Sequence, residues 1–181
     1  MNPPDDKLDD GSTPTTPEAL FHRLDELGIA HETTAHDPVF TVEEAKAVRG
    51  ELTGGHTKNL FLRNKKGAMW LVVSQEDRLI DLKALARHLG AGRFSFSSAD
   101  RLMRHLGVIP GAVTPFAVIN DKQGVVRVVV DLSILAFERV NFHPLDNAMT
   151  TAISGDDLVK FLRAESHAPE VTDLGALEHD T

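Results

Sequence analysis

Thr57-Lys58-Asn59-Leu60-Phe61-Leu62-Arg63-Asn64-Lys65-Lys66-Gly67-Ala68-Met69-Trp70-Leu71-Val72-Val73-Ser74 reads as two strands around a turn. Residues 57–63 and 68–74 are rich in branched and aromatic side chains, and the glycine of Asn64-Lys65-Lys66-Gly67 supplies the positive φ that a tight hairpin turn needs. Within the first strand, period-2 alternation puts Lys58 on the same face as Leu60 and Leu62, with Asn59 on the opposite face. A cation so placed either snorkels to water along its own stem or meets an anionic partner, such as a phosphate or ribose oxygen of a ligand.

Working outward, Thr16 as N-cap, Pro17 at the first helical position, the spacing of Leu20, Leu24 and Leu27, and Gly28 as a stop predict a helix. A weak strand over 29–35 follows, and Thr41-Val42-Glu43-Glu44 is a capping box that opens a short helix ending at Gly50. Asp81 caps a helix with Leu82, Leu85, Ala86 and Leu89 on its buried stripe, and a second helix spans 98–106 before Gly107. Residues 116–120 and 125–130 read as a second hairpin, 131–135 as a helical turn, and 139–143 and 148–153 as the last two strands. Ser154 then caps a terminal helix. Hairpins interleaved with short helices, without regular βαβ alternation, give an α+β fold: a single domain with a mixed, largely antiparallel sheet flanked by short helices.

Residues 1–15 and 166–181 are expected to be acidic tails, the first of them disordered, around a domain over 16–165. The net charge of −8 sits in these ends: residues 1–15 carry four Asp against one Lys, and residues 165–181 carry five acids with no Lys or Arg. The charge-balanced remainder is compatible with docking one phosphate-rich end of a nucleic acid, and not with coating a duplex. The absence of cysteine excludes disulfides, thiolate nucleophiles and cysteine zinc sites, and no histidine pair has the HExxH form, so no metal is expected. No apolar run approaches the ~20 residues of a membrane span. With no secretory or transit signal readable, a cytoplasmic address is expected.

Two further segments carry chemistry. In Gly107-Val108-Ile109-Pro110-Gly111-Ala112-Val113-Thr114-Pro115 the Pro110-Gly111 pair predicts a type II bend, and the second proline stiffens a loop whose glycine and alanine leave backbone N–H groups approachable, as an oxyanion hole requires. In Asn141-Phe142-His143-Pro144-Leu145 the proline biases His143 toward an extended conformation at a strand end. No acid lies near enough in sequence to make His143 part of a catalytic dyad, and a structural histidine is the alternative. Ser133 and Ser154 lack nucleophile-elbow context.

These segments, with Phe40-Thr41-Val42-Glu43-Glu44-Ala45 before them, resemble in order and spacing the editing domain inserted in bacterial prolyl-tRNA synthetases and its free-standing relatives, the YbaK-like aminoacyl-tRNA deacylases. The resemblance covers about residues 17–165 and is nearest to the free-standing alanyl-tRNA(Pro) deacylase branch (ProX/PrdX). It places the family's lysine on Lys58, its glycine- and proline-bearing loop on residues 107–115 and its pocket histidine on His143. It implies hydrolysis of the ester joining a mischarged amino acid, alanine, to the terminal adenosine of proline tRNA. Lys58 would anchor the 3′-terminal phosphate or ribose, the Gly111 and Ala112 amides would receive the carbonyl oxygen, and His143, with Thr57, Asn59 and Pro115, would line the substrate. The expected partners are the acceptor end of proline tRNA and, as a second candidate, prolyl-tRNA synthetase, with no cofactor, no membrane and a monomeric state. A deacylase for cysteinyl- or seryl-tRNA, a non-catalytic tRNA- or synthetase-binding module and a general small-ester hydrolase stay open as alternatives.

Overall fold

The computed structural model of the protein describes residues 6–38, 41–48 and 52–177. Along the chain these form α1 (Pro17–Glu26), β1 (Glu32–Ala35), α2 (Val42–Val48), β2 (Gly55–Arg63), β3 (Met69–Gln75), α3 (Leu82–Leu89), β4 (Ser95–Phe96), α4 (Ala99–Leu106), β5 (Val126–Asp131), β6 (Val140–Phe142), β7 (Met149–Ile153), α5 (Gly155–Ala164) and β8 (Glu170–Thr172). Single 3-10 turns stand at Pro115–Asn120, Leu132–Ala136 and Leu174–Ala176. The helix starts follow the capping residues: Thr16, Asp81, Ser98 and Ser154 each accept a hydrogen bond from a backbone amide three residues on. The expected stop of α2 at Gly50 lies outside the described residues.

The β2–β3 hairpin is the spine of a mixed sheet ordered β1-β7-β6-β2-β3-β5-β8, with β4 also pairing β2. Its register sets Lys58 against Ser74, Leu60 against Val72 and Leu62 against Trp70. Alternation then sends side chains to two different cores. Phe61, Met69, Leu71 and Val73 join α1, α4, α5 and Phe116 on one face. Leu62, Trp70, Val72 and Val129 pack under Leu85 and Ala86 of α3 on the other. No helix among the described residues is long and apolar enough to cross a membrane.

Three expectations are corrected. Residues 116–120 form a 3-10 turn, not a strand: Pro115 has no N–H for a ladder, and the Thr114 hydroxyl accepts from the Phe116 amide to start a helical turn. β5 consequently has no hairpin partner before it and pairs in parallel with β3. The stretch before Thr16 is not free of packing. Leu8 is buried, Asp9 N–H donates to Arg104 O at 2.8 Å, and Thr15 N–H donates to Asn120 Oδ1 at 2.9 Å.

The C-terminal stretch is likewise part of the fold. Residues Glu170–Thr172 extend the sheet as β8, parallel to β5, and Leu174 is buried in the α3-side core. Between α5 and β8, His167 is buried against Asp121, with Nε2 at 2.8 Å from Asp121 Oδ2 and Nδ1 at 2.6 Å from Glu165 O. Both ring nitrogens face acceptors, so the imidazolium suits the site. Burial pulls the His167 pKa down, but the bonds to Asp121 and Glu165 outweigh it and the net shift is upward. Burial likewise pushes Asp121 up, and the bonds from His167, Val126 and Val125 more than reverse it.

Removing one partner of a buried ion pair costs roughly 3–5 kcal/mol, so His167→Ala is expected to lower stability by about that amount in urea denaturation. The raised His167 pKa contributes stability in full below the unfolded value, and this is lost as pH rises through the native value. The lowered Asp121 pKa contributes above the unfolded carboxylate value and is lost as pH falls through the native one. Wild type minus His167→Ala should therefore be largest between those limits and shrink on both sides; a pH-independent difference would contradict the pairing.

Candidate active site

Strand β2 has one fully paired edge and one that is shared. Against β3 it pairs from Thr57 to Arg63. On its other edge β6 pairs in parallel at Gly55 and His56 only, and β4 pairs antiparallel at Leu62 and Arg63 only. Among the described residues no strand occupies that edge between them. The Thr57 hydroxyl bridges part of the opening by donating to Asn141 O at 2.9 Å. Where two neighbours of one strand diverge, backbone and side chains stay accessible to a ligand, as in the crevices of open sheets.

Lys58 stands at this opening, half-buried, on the α3 face of the sheet as expected. Its ammonium donates to the backbone carbonyl of Arg78. Burial holds its pKa below the ordinary lysine value, with Asp77 acting in the opposite direction. Asp77 itself is engaged by Lys46 of α2 at 2.6 Å. A partly dehydrated ammonium on a neutral carbonyl keeps its charge and two further N–H donors for an anion. On the opposite face, Asn59 Oδ1 is shielded from solvent with no hydrogen-bond partner among the described residues.

The 107–115 loop makes the bend that Pro110-Gly111 predicts. Gly111 holds φ +90°, and Ala112 N–H donates to Ile109 O at 3.0 Å to close the turn. That bond corrects one assignment: the Ala112 donor is committed within the turn, which leaves Gly111 of the expected amide pair. Pro115 is also less available than expected, being buried at the start of the 3-10 turn. The ring of Phe116 meets that of Phe142 edge to face, with centroids 5.6 Å apart, and so joins the end of this loop to the strand that delivers His143.

His143 follows the last residue of β6, two residues beyond Asn141, which pairs His56 of β2. Its Nδ1–H donates to Met149 O at 2.8 Å, which fixes the neutral tautomer with Nε2 as an acceptor. The turn that follows includes Leu145 at φ +67°, uncommon for a residue with a side chain, and is closed by Ala148 N–H donating to Asp146 Oδ1 at 2.7 Å. Sequence reading did not place His36 here. Its ring lies edge-on to that of His143 at 6.2 Å, with Nε2 accepting from the Thr150 hydroxyl. Only the pairing of β1 with β7 brings it there, and nothing local in sequence announces that pairing.

Burial lowers the His143 pKa. The Met149 carbonyl opposes this, His36 adds to it and Asp146 opposes it. The His143 imidazole is therefore expected to titrate below about 6.5 when followed by NMR. Because the native value is the lower one, the wild type should lose stability relative to His143→Asn as pH falls from about 6.5 through that value. A midpoint above 6.5 would contradict the burial.

The aminoacyl-tRNA editing domain family matches residues 36–161, a span that includes all three segments. The chain is 40% identical over 158 residues, 87% of its length and 96% of the relative's, to the prolyl-tRNA editing protein ProX of Acetoanaerobium sticklandii. It is also 40% identical over 156 residues to the prolyl-tRNA synthetase associated domain-containing protein 1 of Bos taurus, covering 83% of this chain and 91% of that one. Among solved structures, a candidate trans-editing enzyme for prolyl-tRNA synthetase superposes with a TM-score of 0.68 at 17% identity, covering 92% of this chain and 99% of that one. The hypothetical protein APE2540 also gives 0.68, at 20% identity over 84% of this chain and 96% of that one. These two are likenesses of fold. With the family pattern matched over most of its length, the chain belongs to the aminoacyl-tRNA editing domain family.

Proposed function

We propose that the protein is a trans-acting aminoacyl-tRNA deacylase that removes alanine mischarged on proline tRNA. The observation that carries this is the company kept at the divided edge of β2. On β2 stands a half-buried ammonium held by a neutral carbonyl, an uncharged histidine follows the neighbouring β6, and a bent loop at Gly111 leads into Phe116, whose ring meets Phe142 of β6. That set suits a neutral ester flanked by a phosphodiester. The name of the Acetoanaerobium relative points to proline tRNA, and the residues matched to the editing family span the whole set.

In this reading Lys58 takes the 3′-terminal phosphate or ribose, and the Gly111 amide receives the carbonyl oxygen as negative charge develops on it. Water attacks the carbonyl carbon, the bond to the ribose oxygen breaks, and that oxygen leaves with a proton to give free amino acid and intact tRNA. The adjacent ribose hydroxyl of the substrate orients the water, since no carboxylate base stands among the residues assigned to the site. His143, neutral and fixed by Met149, offers Nε2 to the substrate ammonium and limits the depth of the site. A synthetase pocket built for proline rejects the smaller alanine weakly, and a stiff second site that excludes proline by size completes the discrimination. The acceptor end of proline tRNA is the partner, with prolyl-tRNA synthetase as the source of the error.

Hydrolysis of alanyl-tRNA(Pro) beside prolyl-tRNA(Pro) tests the proposal. Alanine alone should be released, and Lys58→Ala should lower kcat/KM by about tenfold to a hundredfold, the range for a hydrogen bond to a charged group. Release of neither amino acid by the wild type, or release of cysteine or serine in preference, would move the assignment. A substrate ending in 2′-deoxyadenosine should turn over far more slowly, and full-rate turnover would remove the ribose hydroxyl from the mechanism.

A further inference from the structure

Lys58 lies level with Ser74 on β3, and the β3–β5 register carried one residue on from Val73–Val130 sets Ser74 beside Asp131. A cation and a carboxylate thus share one row of the sheet. They are two strands apart, about 10 Å, which is too far to pair directly. Arg78 comes between them. Its guanidinium Nε donates to Asp131 Oδ2 at 2.7 Å, while its backbone carbonyl accepts from the Lys58 ammonium. The carboxylate charge is thereby taken by Arg78, and Lys58 receives an uncharged acceptor.

Asp131 is fully buried, and its remaining lone pairs are satisfied by the Ser133 hydroxyl at 2.7 Å and by the backbone N–H of Leu174 at 3.2 Å. The chain beside Leu174 also presses on Arg78. A Cβ placed on Gly175 would collide with Arg78 Nη1, so the guanidinium lies against bare backbone there. Asp173 Oδ1 accepts from Gly175 N–H at 3.1 Å and holds that backbone in place. These residues fall outside the 36–161 span of the family match.

We propose that Arg78 and Asp131 are positioning residues for Lys58, and that the C-terminal stretch at Leu174–Gly175 clamps them. The role of Lys58 itself rests on the deacylase reading; the chain of contacts that aims its ammonium does not. Arg78 acts through its main chain on Lys58 and through its side chain on Asp131. Displacing the guanidinium therefore moves the carbonyl and re-aims the ammonium.

The Lys58 ammonium of the free protein can be followed by side-chain nitrogen NMR, its signal identified by its loss in Lys58→Ala. Gly175→Val sets a Cβ against the guanidinium end of Arg78, with Asp173 Oδ1 the next neighbour, and Asp131→Asn removes the charge that holds that guanidinium. Both are expected to shift or broaden the Lys58 signal. In Gly175→Val, with thermal midpoint little changed, single-turnover hydrolysis of alanyl-tRNA(Pro) should fall by up to roughly a hundredfold, the scale of an ~1 Å misplacement. The same substitution should cost nothing further in a Lys58→Ala background, because the two act on one interaction. An unmoved Lys58 signal in Gly175→Val, or losses that multiply with that of Lys58→Ala, would overturn the proposal. Should Asp131→Asn fail to fold, Gly175→Val decides alone. A wild type that hydrolyses no aminoacyl-tRNA would remove the deacylase reading, while the NMR signal would still report on the contacts.

Discussion

Strand β2 must serve two cores and three partner strands within nine residues, and the rest of the molecule is arranged around how it does so. Alternation settles the faces: Phe61 goes to the larger core with α1, α4 and α5, and Leu62 to the smaller one under α3. The edges are settled by direction. β6 runs with β2 and β4 runs against it, each meeting it at one end, and between them, among the described residues, no strand pairs that edge of β2, where Thr57, Lys58 and Asn59 lie. A one-residue slip would exchange Lys58 with Asn59 and bury a charge among the residues of the larger core. The hydrophobic pattern that fixes the register therefore also fixes the site.

Electrostatically, the site depends on keeping opposite charges from cancelling. A lysine at a half-buried position would gain from a carboxylate partner; Asp77 is close enough to act on it, Asp131 stands two strands away, and Asp173 lies beside the Gly175 backbone that meets Arg78. Each is engaged elsewhere, by Lys46, by Arg78 and by the Gly175 amide in turn. Lys58 is left with a carbonyl, which satisfies one donor without neutralising the charge. In the proposed site, dehydration without neutralisation would strengthen the pull on an incoming phosphate, since a charge in a poorly solvated place is screened less.

Much of this was legible in the chain. The hairpin, the four capped helices and the last two strands follow from local signals, namely alternation, N-cap side chains and glycine stops, and the three segments of the site were singled out on the same grounds. What local signals could not supply were the parallel pairings. Glu170-Val171-Thr172 reads as tail because it is short and sits among acids; its order as β8 comes from the edge of β5, about forty residues earlier in the chain. Residues 116–120 read as strand because Phe116, Ala117, Val118 and Ile119 are apolar in any conformation, and periodicity cannot separate a buried 3-10 turn from a buried strand over so short a run. His36, Arg78 and Asp131 were missed for a related reason: each is an ordinary charged or polar residue until the sheet sets it beside His143 or Lys58.

Asp121 and Asp131, both buried, receive partners from the final stretch of the sequence: Asp121 from the His167 ring and Asp131 from the Leu174 amide. During synthesis the two carboxylates emerge well before the groups that complete their shells. The β2–β3 hairpin and the larger core can form while the chain is still growing, but the sheet then ends at β5 with an open edge and two acidic groups without all of their native contacts. Closing occurs only when residues 167–174 arrive. Until then the β5 edge, the Asp121 carboxylate and the Asp131 carboxylate each lack a partner that the finished fold supplies.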